Sequence, residues 1–171
     1  HEYHHIMMMH QQMNNFHATD WGGSYTEPDY APPWFTEGAA AVLPYMMGMD
    51  GGRNGLQDRI AHVLQLVKED ESLNFDHMKS WETWGTTSLS IDPFIPLVAY
   101  MAYKSNWQIA MVDCFRAMGL QEYPGNFDNL LISLIGVNKD EFLNEALEFF
   151  RLETTTTDIL MPPDLPIEEI I

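Results

Sequence analysis

The stretch NKDEFLNEALEFFRL, residues 138–152, decides the fold class. Phe142, Ala146, Phe149 and Phe150 recur at i, i+4, i+7 and i+8, which lines them up along one face of a helix, while the charged residues point the other way. Asn138 stands immediately before the pattern, where its side-chain oxygen can accept from the orphan amides of the first turn. The same period continues outward. NFDNLLISLIG (126–136) predicts a second amphipathic helix, and residues 94–103 and 107–118 are apolar nearly all round, the pattern of helices buried on most sides. Between 56 and 71, Leu56, Ile60, Val63, Leu64 and Val67 share one face with Asp58, Arg59, Lys68 and Glu69 opposite, so this helix covers the core and is half exposed. No strand pair and no internal repeat is legible, and the fold class is mainly α.

Toward the N-terminus, residues 1–17 contain no Gly or Pro and predict a helix, followed by the turn-rich loop HATDWGGSYTEPDYAPP (17–33). WFTEGAAAVLPYMMG (34–48) predicts a further helix, disturbed at Pro44, and MDGGRNG (49–55) a sharp turn. FDHMKSWETW (75–84) predicts a short helix, and TTSLSIDPFIP (86–96) a connection. After Arg151 the character changes. ETTTTDILMPPDLPIEEII (153–171) combines β-branched residues with three prolines, so the chain divides into a helical domain, 1–152, and an extended tail, 153–171, whose apolar residues lie against this domain or a partner.

Charge excludes one class of partner. Twenty-five acidic against eight basic residues give a net charge of -17, and no Lys or Arg precedes Arg53, so nucleic acid would be repelled. Such acidity suits saline surroundings and points to an extracellular or secreted setting. Cys114, the only cysteine, sits in the apolar stretch AMVDCFRAM (110–118) and reads as a buried structural thiol. The longest nearly uncharged apolar run, PFIPLVAYMAY (93–103), has eleven residues, too few to cross a bilayer. No transmembrane segment is expected.

The chemistry is concentrated at the start of the chain. HEYHH (1–5) places His1 and His5 one helical turn apart on one face, where two imidazoles can share one ion with Glu2 beside them. Zinc takes neutral imidazole and carboxylate oxygen in a tetrahedron and leaves a fourth position for water, but it needs a third protein ligand. The metzincin arrangement fails, because position 11 is Gln and position 8 is Met. A separate helix supplies the candidate instead. In PPWFTEGAA (32–40), Glu37 lies one turn into a helix, and Gly38, Ala39 and Ala40 would let that helix approach the one bearing His1 and His5 closely.

HEYHH followed by PPWFTEGAA resembles the gluzincin zinc metallopeptidases, the peptidase MA-like group, which carry HExxH and later a W-x-x-E-G helix. The likeness extends more weakly over residues 1–152, because the helix pair at 126–152 looks like the closing pair of such domains. The resemblance implies that this is the C-terminal helical portion of a zincin-like domain, with preceding chain or another subunit covering the active-site helix. It implies Zn2+ held by His1, His5 and Glu37, a peptide or protein substrate, and peptide-bond hydrolysis by a zinc-activated water with Glu2 as general base. It further implies a donor for the oxyanion, for which Tyr100 and Tyr103 are the candidates and Tyr100 the preferred one. The remaining alternative is a catalytically silent domain of the same kind that serves in assembly, its tail docking on a neighbouring subunit. The methionine run Met7, Met8, Met9 and Met13 reads as packing around the first helix.

Overall fold

The computed structural model describes residues 31–79, 83, 93–118 and 127–162, and these are helical with no strand among the described residues. Helix α1, Pro33–Met46, starts where Pro32 is held extended at φ -67° and ψ 159° and Pro33 occupies the first helical position, which needs no amide and has its φ already set. Thr36 Oγ1 donates to the carbonyls of Pro32 and Pro33, fastening that first turn. Pro44 lies inside the helix as expected and ends it within one turn. The turn at 48–52 then reverses the chain through left-handed backbone at Gly48, Asp50, Gly51 and Gly52.

Helix α2, Gly52–Glu69, begins four residues earlier than its apolar pattern. Gly55 explains the extension: a Cβ there would come within 2.2 Å of the Asp50 carbonyl oxygen and 2.9 Å of the Tyr45 ring, so only glycine lets α2 fold back this tightly on α1. Leu56, Ile60, Val63, Leu64 and Val67 are its buried face. Of the segment read as a short helix at 75–84, the described residues hold a 3-10 turn, Asp76–Met78, with Phe75 packed edge-on against Phe150.

Helix α3, Phe94–Lys104, is the central element, with every residue from Ile95 to Ala102 buried. The chain next forms a π-helical turn, Ile109–Asp113, opened by the Asn106 side chain accepting from the Ile109 amide at 2.8 Å, and runs into α4, Cys114–Met118. Cys114 is fully buried, and burial pushes its thiol pKa up, as an inert core thiol requires. Helices α5, Phe127–Ile135, and α6, Lys139–Arg151, close the fold. Asn138 accepts from the Glu141 amide at 3.0 Å while the Glu141 carboxylate accepts from the Asn138 amide, a reciprocal capping box. Asp128 on α5 accepts from the Lys139 amide at 2.8 Å and ties the two helices together.

The core is aromatic where α1, α3 and α6 meet. Trp34 stacks on Phe142 at 4.6 Å, Phe35 stacks on Phe115 at 4.8 Å, and the Tyr100 ring lies 5.0 Å from that of Phe149. After α6 the chain is extended at Leu152, Thr156 and Met161, but a 3-10 turn, Thr157–Leu160, interrupts it. This turn exists because Leu160 and Met161 are buried in the core, while Arg53 donates to the Pro162 carbonyl at 2.6 Å and Lys68 to that of Thr155 at 3.0 Å. No described helix is long and apolar enough to cross a membrane.

Candidate functional site

Of the four residues of the expected metal site, the described part of the chain contains Glu37. It lies in the second turn of α1, half-buried, in a stripe with Ala41 and Pro44, while Trp34 and Ala40 to either side of that stripe are fully buried. Its carboxylate is therefore carried by a helix whose position is fixed at both ends of the relevant turn. Trp34 anchors one end by its stack on Phe142, and Gly38 anchors the other. A Cβ on Gly38 would lie 2.6 Å from the Phe94 carbonyl oxygen and 2.7 Å from Val98 Cγ2, so the backbones of α1 and α3 cross here in direct contact.

Gly38, the first of the small residues after Glu37, sets how closely α1 crosses α3. The close approach that Gly38 permits is made with α3, because the apolar run of α3 is the neighbouring surface that α1 must cover. His1, Glu2 and His5, together with the methionines at 7–9 and 13, lie outside the described residues, as does the tail from residue 163. Among the described residues no three His, Cys, Asp or Glu side chains form a metal-sized group, which follows from two of the three expected ligands lying elsewhere.

Tyr100 and Tyr103 sit together on α3 with rings 6.1 Å apart, and the structure distinguishes them. Tyr100 is 5% exposed and enclosed by Phe142, Phe149 and Phe150 of α6, whereas Tyr103 is 51% exposed. Tyr100 lies about 200° around the α3 axis from Val98, which is the side that meets Gly38. Its ring thus turns toward α6 and away from the α1 crossing. Burial first, then the nearby Glu145, Tyr103 and Glu148, pushes its phenol pKa up to about 12.

No protein-family model matches the chain, and no curated protein or solved structure matches it. What speaks for a metal is the chemistry of the donors: two imidazoles and one carboxylate form a set that zinc accepts in open sites, and α1 presents its carboxylate from a fixed, partly desolvated position. One feature has no signal in the sequence. His77, in the 3-10 turn, is buried with its Nε2 unpartnered, and burial lowers its pKa despite the opposing charge of Asp76. The period of the surrounding residues gives no hint of it.

Proposed function

We propose that this chain carries a zinc-dependent peptide-hydrolase site of the gluzincin type, with His1, His5 and Glu37 as metal ligands and Glu2 as general base. The observation that supports the reading best is the pairing of HExxH with a W-x-x-E-G segment whose glutamate occupies the second turn of a helix pinned by Trp34 and Gly38. Bound there, zinc would supply Lewis-acid polarisation of the scissile carbonyl and bring the pKa of water down to about 7. The Glu2 carboxylate accepts a proton from the attacking water and returns it to the amine nitrogen as the C–N bond breaks. The packing of α1 keeps Glu37 in place. The enclosed ring of Tyr100 accounts for that residue as core, so the reading assigns it no contact with substrate.

Two substitutions test this. Because a positioned base contributes roughly 10²- to 10⁴-fold, Glu2→Gln should lose at least about 100-fold in peptide cleavage with zinc still bound, whereas Glu37→Ala should lose the zinc itself. Full zinc content in the Glu37→Ala protein overturns the ligand assignment. Stoichiometric zinc in the parent protein with no cleavage across a broad peptide library favours the silent, assembly-type reading instead.

A further inference from the structure

Residues 70–79 leave α2 and lie along α6 as a strap fastened near both ends of that helix. At the C-terminal end, Arg151 donates to the carbonyls of Glu71 and Leu73 at 2.7 and 2.8 Å, and Phe75 packs edge-on against Phe150. At the N-terminal end, Lys79 lies 3.6 Å from Asp140 while it pairs with Asp76 at 2.8 Å. Asp140 and Arg151 are about 16 Å apart along the helix, so the strap spans most of α6 and runs antiparallel to it. Phe75 and Met78 are its buried apolar contacts with the core.

Between these two fastenings the 3-10 turn seats His77, which is 8% exposed and whose Nε2 is enclosed with no hydrogen-bond partner. A proton makes this seat worse. Both ring nitrogens become donors, so Nε2–H needs an acceptor that its surroundings do not offer, and the imidazolium charge is held out of water. The charged groups around the strap do not relieve this. Burial lowers the imidazole pKa and outweighs the attraction of Asp76, whose carboxylate is already engaged by Lys79. Lys79 is held cationic, first by its bond to Asp76 and then by the charge of Asp140, and adds a like charge to the same turn. At the other end of the strap, the Ser72 hydroxyl and amide hold the Asp70 carboxyl below its usual range, and Arg151 faces it from α6.

We propose that His77 is an acid-operated latch: taking up a proton unseats the 3-10 turn and releases residues 70–79 from α6, uncovering the Phe150 side of the core while the helices stay folded. The proposal is independent of the hydrolase reading. Because the released imidazole binds its proton more readily than the seated one, opening is favoured progressively as pH falls below about 6.5, by at most about 10-fold per unit. Amide hydrogen exchange of the full chain, read as protection factors at about pH 7.5 and about pH 5, tests this. The reporters are the Met78 and Lys79 amides, bonded to the carbonyls of Phe75 and Asp76 at 2.9 and 3.2 Å. Their protection should fall roughly 10-fold at the lower pH, with that of α3 and α6 changing much less. His77→Gln, neutral at both pH values, should abolish the fall, whereas His62→Gln, at the exposed histidine of α2, should leave it intact. Unchanged protection, a fall that the His77→Gln protein shares, or an equal fall throughout α3 and α6 overturns the proposal. Should His77→Gln fail to fold, the parent protein decides alone, with the His77 titration followed by the nitrogen chemical shifts of its ring. Protection of the strap that falls from about pH 6.5 and levels off where His77 itself titrates upholds the latch, and any other course overturns it.

Discussion

Replacing Gly38 by alanine probes the contact that fixes the Glu37 helix. The new methyl group would lie 2.6 Å from the Phe94 carbonyl oxygen, about 0.8 Å short of the 3.4 Å at which ordinary contact begins, and 2.7 Å from Val98 Cγ2. Neither neighbour yields easily, since one is backbone inside α3 and the other is a β-branched side chain held to one rotamer in a helix. Helix α1 must therefore move off α3. Overpacking of this kind costs about 1–3 kcal/mol, and a rigid backbone neighbour places it near the top of that range, while alanine recovers about 1 kcal/mol of helix propensity. The net loss is about 2 kcal/mol, or a fall in Tm of about 4–8 °C for a domain of this size, read by circular dichroism during thermal unfolding. Because Glu37 travels with the helix, zinc affinity should fall about 10-fold as well, the scale of losing a ligand's supporting contact. Gly48→Ala serves as the control: nothing lies within 4 Å of its added methyl, its φ of +76° still imposes strain of about 1 kcal/mol, and zinc affinity should not change. A Gly38→Ala protein as stable as its parent would refute the reasoning.

Three further outcomes follow from the same geometry. Asn138→Ala removes the capping box of α6 and should destabilise the protein by about 1 kcal/mol in urea unfolding, with Asn138→Asp much milder; equal losses would show that the cap is not the cause. Raised from 10.0 to about 12, the Tyr100 phenol keeps its proton in the folded state after the unfolded chain has lost it. Its stabilising contribution is therefore complete below about pH 10 and is lost as pH rises through about 12, so alkaline unfolding of Tyr100→Phe should be shallower across that window, and identical profiles would contradict this. Cys114 should not react with a thiol-specific disulfide reagent until the protein is unfolded, and fast labelling of the native state would contradict its burial.

The parts of the fold that the sequence makes legible are those in which one helix reports its own environment. The buried face of α2, the Asn138 cap, the tight turn at 49–55 and the apolar α3 each follow from period or from turn chemistry within a single segment. Which helix fills which groove is a different kind of information. Gly38, Ala39 and Ala40 announce a close crossing without naming the partner, and the partner at Gly38 is α3. The π-helical turn at Ile109–Asp113 is likewise invisible, because an apolar run reads the same whether one residue is inserted into the helix or not. The start of α2 runs through Gly52 and Gly55, poor helix formers of which Gly52 takes a left-handed φ of +55° and Gly55 lies too close to Asp50 and Tyr45 for a side chain. The tail contains a 3-10 turn at Thr157–Leu160 because Leu160 and Met161 enter the core, a tertiary demand that threonines and prolines do not signal. For the candidate site, residue types and spacing give the helix that carries Glu37, whereas the enclosure of Tyr100 depends on how α6 packs across α3.

Zinc K-edge X-ray absorption on the zinc-loaded protein, compared with its Glu37→Ala variant, tests the metal centre most directly. The account predicts a four-coordinate shell of nitrogen and oxygen at about 2.0–2.1 Å, with the multiple scattering of two imidazoles and no sulfur, and loss of that shell in the variant. A six-coordinate oxygen shell, or a spectrum unchanged when Glu37 is replaced, would contradict it.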